Sequence, residues 1–326
     1  MKVLVSVSLL WMPVGAAAQA RPLVTIGGES GVEFGSIVDA VSMKGRIIVL
    51  DKNAPHLRLL NEDGRLLQTA GRGGSGPGEF RIPWSLAVDS TSNSVFVVDP
   101  ANARVTEYAL EDTLGLKRTI ATSIRNLRAL CVLRGRFFGS TLSTTHLLDE
   151  LEVRDGRLVS RRPLGKVQSN HPLAAHPLVG WRTGDGPVFC DGAGYVWMTS
   201  SLLGDIHRVD VESGSQQSQT IRDFQPILLQ SGSGGTLTMS VPASGWYERV
   251  SSLLPTSNGV RVVLSLHGRG DSLAGYQAVD ISSDLRTHSQ RVRTQWRQVA
   301  LAARGVICVV NDPAPTMAIF GGRGCP

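Results

Sequence analysis

One stretch of this chain returns on itself, and that constrains its fold more than any other feature. Gly27-Gly28-Glu29-Ser30-Gly31-Val32-Glu33-Phe34 recurs as Gly73-Gly74-Ser75-Gly76-Pro77-Gly78-Glu79-Phe80, displaced by 46 residues. Ala40-Val41 then returns as Ala87-Val88, and Ile48-Val49-Leu50-Asp51 as Phe96-Val97-Val98-Asp99, so the period lies in the high forties. A repeat of that length built from short apolar runs and Gly-rich turns is the unit of a propeller blade, a four-stranded sheet that must bury both faces against its neighbours.

The strand pattern carries the repeat through the rest of the chain. Six near-continuous apolar runs mark strands covered on both faces: Ile47 to Leu50, Val95 to Val98, Arg136 to Gly139, Tyr195 to Met198, Val260 to Leu264 and Val306 to Val310. Each is followed by a turn and an alternating third strand, and five of the six by a fourth. The last blade lacks its fourth strand, since only Gly321 to Pro326 follow Phe320, whereas Leu23-Val24-Thr25-Ile26 stands ahead of the first Gly-rich turn with no blade of its own. The N-terminal strand is therefore expected to complete the last blade, which removes an unpaired sheet edge. The expected fold is all-β, one closed six-bladed β-propeller over residues 21–326.

The segment from Gly71 to Val105, with Pro77-Gly78-Glu79-Phe80, Pro83, Ala87-Val88-Asp89, Val95 to Asp99 and Asn102-Ala103-Arg104-Val105, resembles an NHL repeat. The resemblance implies a propeller of that type in a bacterial exported form. In that repeat Phe80 is expected to wedge between sheets. Asp99 is expected to accept backbone N–H groups of the following turn and to pair with Arg104.

Residues 1–20 carry Lys2, an apolar run from Val3 to Val14 and Ala18-Gln19-Ala20, the three parts of a secretory signal peptide. Export to a periplasm or the medium is expected. The apolar run is too short to span a bilayer, and no longer one follows. Hydrophobic residues make up 42% and charged residues 18%, which excludes a disordered chain. The net charge of +6 is dispersed, with no long Lys/Arg run, so nucleic acid is not an expected partner. Of Cys131, Cys190, Cys308 and Cys325, the first and third sit inside apolar runs and read as buried free thiols; no pairing follows from the spacing.

Two connections are unusually long, Gly165 to Gly184 between blades three and four and Asp223 to Glu248 between blades four and five, and the turn Ser265 to Gly275 is extended. All three belong on the face where fourth-to-first connections and second-to-third turns emerge, and loops of such length are usually functional or disordered. The candidate ligand-binding residues there are Trp181, Arg182, Asp185, Trp246, Tyr247, Glu248, Arg269 and Asp271, aromatics beside Arg and carboxylates. His171 and His176 lack a third ligand, and Gly232 to Gly235 reads as a loop tip rather than a phosphate cradle. The expected function is a non-catalytic binding module presenting blades four and five to a peptide, glycan or protein, with no metal and no cofactor. The alternative is a metal-dependent hydrolase or lyase at the channel mouth, using Asp185 and Glu248.

Overall fold

The structure, a computed structural model, describes residues 21–28, 31–124, 126–167, 185–232, 236–311, 314–322 and 324–326. The expected signal peptide, His171, His176, Trp181, Arg182 and Ser233 to Gly235 lie outside them. No helix among the described residues is long and apolar enough to cross a membrane.

Six four-stranded antiparallel units follow one another in the chain. Their inner strands are Ile37–Met43, Ser85–Asp89, Ala129–Leu133, Val188–Cys190, Tyr247–Thr256 and Arg297–Ala302. The second strands are Arg46–Asp51, Ser94–Asp99, Arg136–Ser140, Tyr195–Thr199, Gly259–His267 and Gly305–Val310, which contain the six apolar runs. These strands are buried on both faces, as Ile47 to Leu50 and Val260 to Leu264 show. The apolar contacts run from blade to blade: Ile48 and Leu59 of blade one pack with Leu86, Val95 and Val97 of blade two.

Closure is as expected. Val24–Gly27 pairs antiparallel with Thr316–Phe320, Ile26 opposite Met317. Ile26 enters a core shared by Ile307 and Ile319 of blade six and by Val49 and Leu60 of blade one. The Asp63-Gly64 turn of blade one lies against the same strand. At φ +83 only glycine is at ease there, and a Cβ on Gly64 would sit 2.6 Å from the Ile26 side chain.

Three local expectations are corrected. Cys131 and Cys308 are not free: Cys131 is bridged to Cys190 and Cys308 to Cys325, with Cα separations of 5.6 and 6.1 Å. The first pair joins inner strands of blades three and four, which meet because consecutive blades pack side by side, so no sequence spacing announces them. The backbone N–H groups that Asp99 accepts are not those of the turn after it but those of Arg81 and Ile82 in the connection before the blade; from the following turn it accepts the Asn102 side-chain amide at 2.7 Å. Arg104 does not pair with Asp99; its guanidinium donates to carbonyls of Ser75, Gly76 and Glu79, holding the Gly-rich turn. In blade one the carboxylate does find an arginine, Asp51 with Arg58 at 2.8 Å, while also accepting from Gly35 and Ser36.

The long connection between blades four and five is not slack. It folds into a ribbon, Leu228–Ser231 against Leu237–Ser240. Ile227, Leu229 and Val241 pack with Leu202 and Tyr247, which fixes the ribbon to the face beside blade five.

Candidate ligand-binding face

The six inner strands surround an axial channel with a cavity of about 720 Å³, within the range of small-ligand sites. Every seam between blades carries a clasp, that between blades five and six away from this channel. Asp39 accepts the Leu86 N–H at 2.9 Å, and the Ser85 hydroxyl donates to the Arg128 carbonyl at 3.1 Å. The Cys131–Cys190 bridge joins blades three and four, and Val250 N–H donates to the Ser201 carbonyl at 2.9 Å. Arg261 reaches Gln298 at 3.4 Å, and Arg297 donates to the Ile37 and Val38 carbonyls at 3.0 and 2.8 Å. The ring is thus tied by polar or covalent links at all six seams.

Three adjoining inner strands, those of blades five, six and one, carry bulges, placed at Val250/Ser252, Gln298/Ala300 and Ile37/Asp39. A bulge adds one residue and re-aims its neighbours, which is why bulges gather at barrel rims and sites. The blade-one bulge delivers Asp39 to the channel wall. Burial pushes its carboxyl up to about 6, against the pull of the Leu86 N–H, the Arg297 charge and the Ala40 N–H. With the acid's pKa raised above its usual 3.8, the folded chain holds the proton more tightly than the unfolded one. This group therefore subtracts stability as pH climbs from about 4 to about 6. Asp39→Asn should flatten the pH dependence of urea-unfolding stability across that window by on the order of 1–3 kcal/mol; an unchanged slope would show that Asp39 titrates as an ordinary exposed carboxyl.

The expected site residues divide into a cluster and outliers. Tyr247, Asp271 and an unexpected Arg249 come together. The Tyr247 hydroxyl donates to Asp271 and accepts from Arg249 at 3.0 Å, and Arg249 lies 3.3 Å from the Asp271 carboxylate. His267 stacks on Tyr247 with ring centres 5.4 Å apart and sets Nδ1 2.8 Å from Asp271. Burial tends to raise the Asp271 carboxyl, but the Tyr247 hydrogen bond and the Arg249 and His267 charges outweigh it and hold it below the usual range. Burial foremost holds the His267 imidazole below its ordinary value.

His267 Nε2 lies 2.9 Å from the Ser265 hydroxyl, so Ser265, His267 and Asp271 form a hydrogen-bonded line. Ser265 is only 6% exposed, and its hydroxyl also donates to the Arg249 carbonyl across the strand pair. That geometry pins the 267–273 turn and offers a substrate little approach to the oxygen.

Trp246 is half-buried just ahead of the same inner strand, and Arg269 is exposed in the turn with Asp271. Asp185 stands apart from the cluster, accepting from the N–H and hydroxyl of Ser201 at 2.8 and 2.7 Å beside the channel. Glu248 points the other way and is fully buried, bridged to Arg291 at 2.5 Å and accepting the Gln225 N–H. Strand alternation explains this: Tyr247 and Arg249 share one face of the strand, Glu248 the opposite one. A metal held jointly by Asp185 and Glu248 is not what this geometry offers, because Arg291 already neutralises Glu248. Among the described residues no three His, Cys, Asp or Glu side chains gather as a metal cluster.

Comparison with known proteins gives the architecture. A family described as a 6-bladed β-propeller matches residues 23–136. No curated protein matches the sequence. Among solved structures, a member of the DUF4221 family from Bacteroides vulgatus is similar with a TM-score of 0.60 at 7% identity, over 92% of this chain and 96% of that one. A presumed exported protein of Bacteroides fragilis is similar with a TM-score of 0.56 at 10% identity, over 88% and 83%. Virginiamycin B lyase from Staphylococcus aureus reaches 0.51 at 11% identity, over 89% and 97%. At such identities the likeness speaks for the fold alone, and with the family match it makes this chain a six-bladed β-propeller closed by its own N-terminal strand.

Proposed function

We propose that this chain is an exported propeller of the NHL-repeat type that binds a peptide, glycan or protein on the face beside blades four and five, without chemistry of its own. The observation that carries the reading is the ribbon 228–240. An insertion drifting neutrally has no need of a sheet of its own, whereas this one packs through Ile227 and Leu229 onto Tyr247 and so raises a rim beside the Tyr247–Asp271–Arg249 cluster. Export is supported by the leader-like residues 1–20 and by two disulfides, which persist in oxidising compartments.

The test is to probe the mature protein with arrayed glycans and a random peptide library, then to measure the best-bound probe against variants. Trp246→Ala and Arg269→Ala should each weaken it by roughly 30-fold, equivalent to about 2 kcal/mol, with melting unaltered. If the variants lose melting temperature and keep the probe, these side chains only fasten loops.

A further inference from the structure

The far side of the channel mouth, over blades one to three, carries features that the blade-four-and-five surface does not use. Trp84 and Ile82 are 47% and 53% exposed, although both stand at the entrance to a blade whose second strand, Ser94–Asp99, is buried throughout. They line the axial cavity together with Lys52 and Arg128. The Arg128 guanidinium lies over the Trp84 ring at 4.6 Å from its centre, so ring and cation present one combined surface to the channel.

The sign of a ligand's charge follows from which charged groups at this mouth are already committed. Asp39 accepts N–H groups on both carboxylate oxygens, from Ala40 and from Leu86. Asp185 is held by Ser201, and Arg297 is spent on two carbonyls of blade one. Among the described residues, the side chains of Arg128 and Lys52 make no hydrogen bond or ion pair; the Arg128 guanidinium stacks on the Trp84 ring. What the mouth has left to offer is thus positive charge beside an exposed aromatic face. Below it Val38, Ala40, Leu86, Leu130 and Val250 line an aliphatic shaft.

We propose that this mouth is a second binding site, taking a small aromatic carboxylate, with the ring against Trp84 and Ile82 and the acid between Arg128 and Lys52. A guanidinium pairs with a carboxylate through two parallel N–H groups, and an indole face receives a flat ring without a polar cost. Among the described residues, a cationic ligand would find at this mouth only carboxylates that already accept hydrogen bonds, Asp39 and Asp185. The site does not depend on the blade-four-and-five reading, and either can fail alone.

The experiment uses the mature, disulfide-intact protein and three probes of one shape: indole-3-acetate, its primary amide and tryptamine. Binding is read by calorimetry and by ligand-detected NMR. Indole-3-acetate should bind saturably below about 10 mM, roughly tenfold more tightly than the amide and tighter still than tryptamine. Arg128→Met, which keeps the stem over the ring and removes the charge, should cost roughly tenfold, Trp84→Ala a comparable factor, and Lys52→Met less. Trp246→Ala should leave this binding unchanged, which separates the two surfaces. Equal affinity for acid and amine, carboxylate binding indifferent to Arg128→Met, or no saturable binding of the acid overturns the proposal.

Discussion

Deleting residues 21–28 from the mature chain is expected to lower the melting temperature by roughly 10 °C or more and to make the protein prone to aggregate. The strand removed is only four residues long, Val24–Gly27, but it closes the ring. Ile26 is 1% exposed, and its burial is worth about 2–3 kcal/mol. The ladder to Thr316–Phe320 adds several backbone hydrogen bonds at about 1 kcal/mol each, and just ahead of it the Leu23 N–H donates to the Ile319 carbonyl at 2.7 Å. A total near 5 kcal/mol moves the transition by about 10 °C in a chain of this size. The bare edge of Thr316–Phe320 would then expose a strand in which Met317, Ala318 and Ile319 are otherwise fully buried, a template for pairing with other chains. Differential scanning calorimetry and light scattering on the truncated protein check both halves; unchanged melting with no scattering would mean that the strand is an appendage and that blade six is stable with three strands.

Replacing Cys131 and Cys190 together by Ser is expected to cost about 4 kcal/mol of unfolding free energy. The bridge closes a loop of 59 residues, and the entropy it removes from the unfolded chain grows with the logarithm of that length. The Cys308–Cys325 bridge closes 17, so on loop length alone its loss should cost about 1 kcal/mol less. It costs less for a second reason: it holds a terminal tail, which can peel from Arg261 and Gln298 without opening a blade. The inner bridge instead crosses the seam between blades three and four, where the other seams have a hydrogen bond. Urea unfolding of the two double variants gives the ordering. If the Cys308/Cys325 variant proves the weaker protein, the tail and not the seam is the point at which the ring is vulnerable.

Much of the architecture was legible because propellers are periodic and their second strands are apolar throughout. Strands such as Ile47 to Leu50 and Val306 to Val310 are recognisable wherever they pack, since burial on both faces writes itself into composition. The orphan strand at Leu23 to Ile26 could be assigned to blade six by counting. Site residues were legible only as loop positions. Trp246, Tyr247, Arg269 and Asp271 could be grouped by connection length, but the facing of Glu248 away from Tyr247 depended on where that strand begins. Arg249 went unnoticed because nothing in its local sequence distinguishes it.

What the sequence by itself determined is therefore whatever depends on local period: six blades, their second strands and the closure. What only the tertiary structure decided depends on pairs distant in the chain: the Cys131–Cys190 bridge, the Arg297 clasp onto blade one, the Asp39 clasp onto blade two and the stacking of Arg128 on Trp84. Each of these joins neighbouring blades across a radius of the ring. Period sets how many blades there are, whereas the side chains that meet at a seam depend on the twist and bulges of two inner strands at once, and no single segment carries that information.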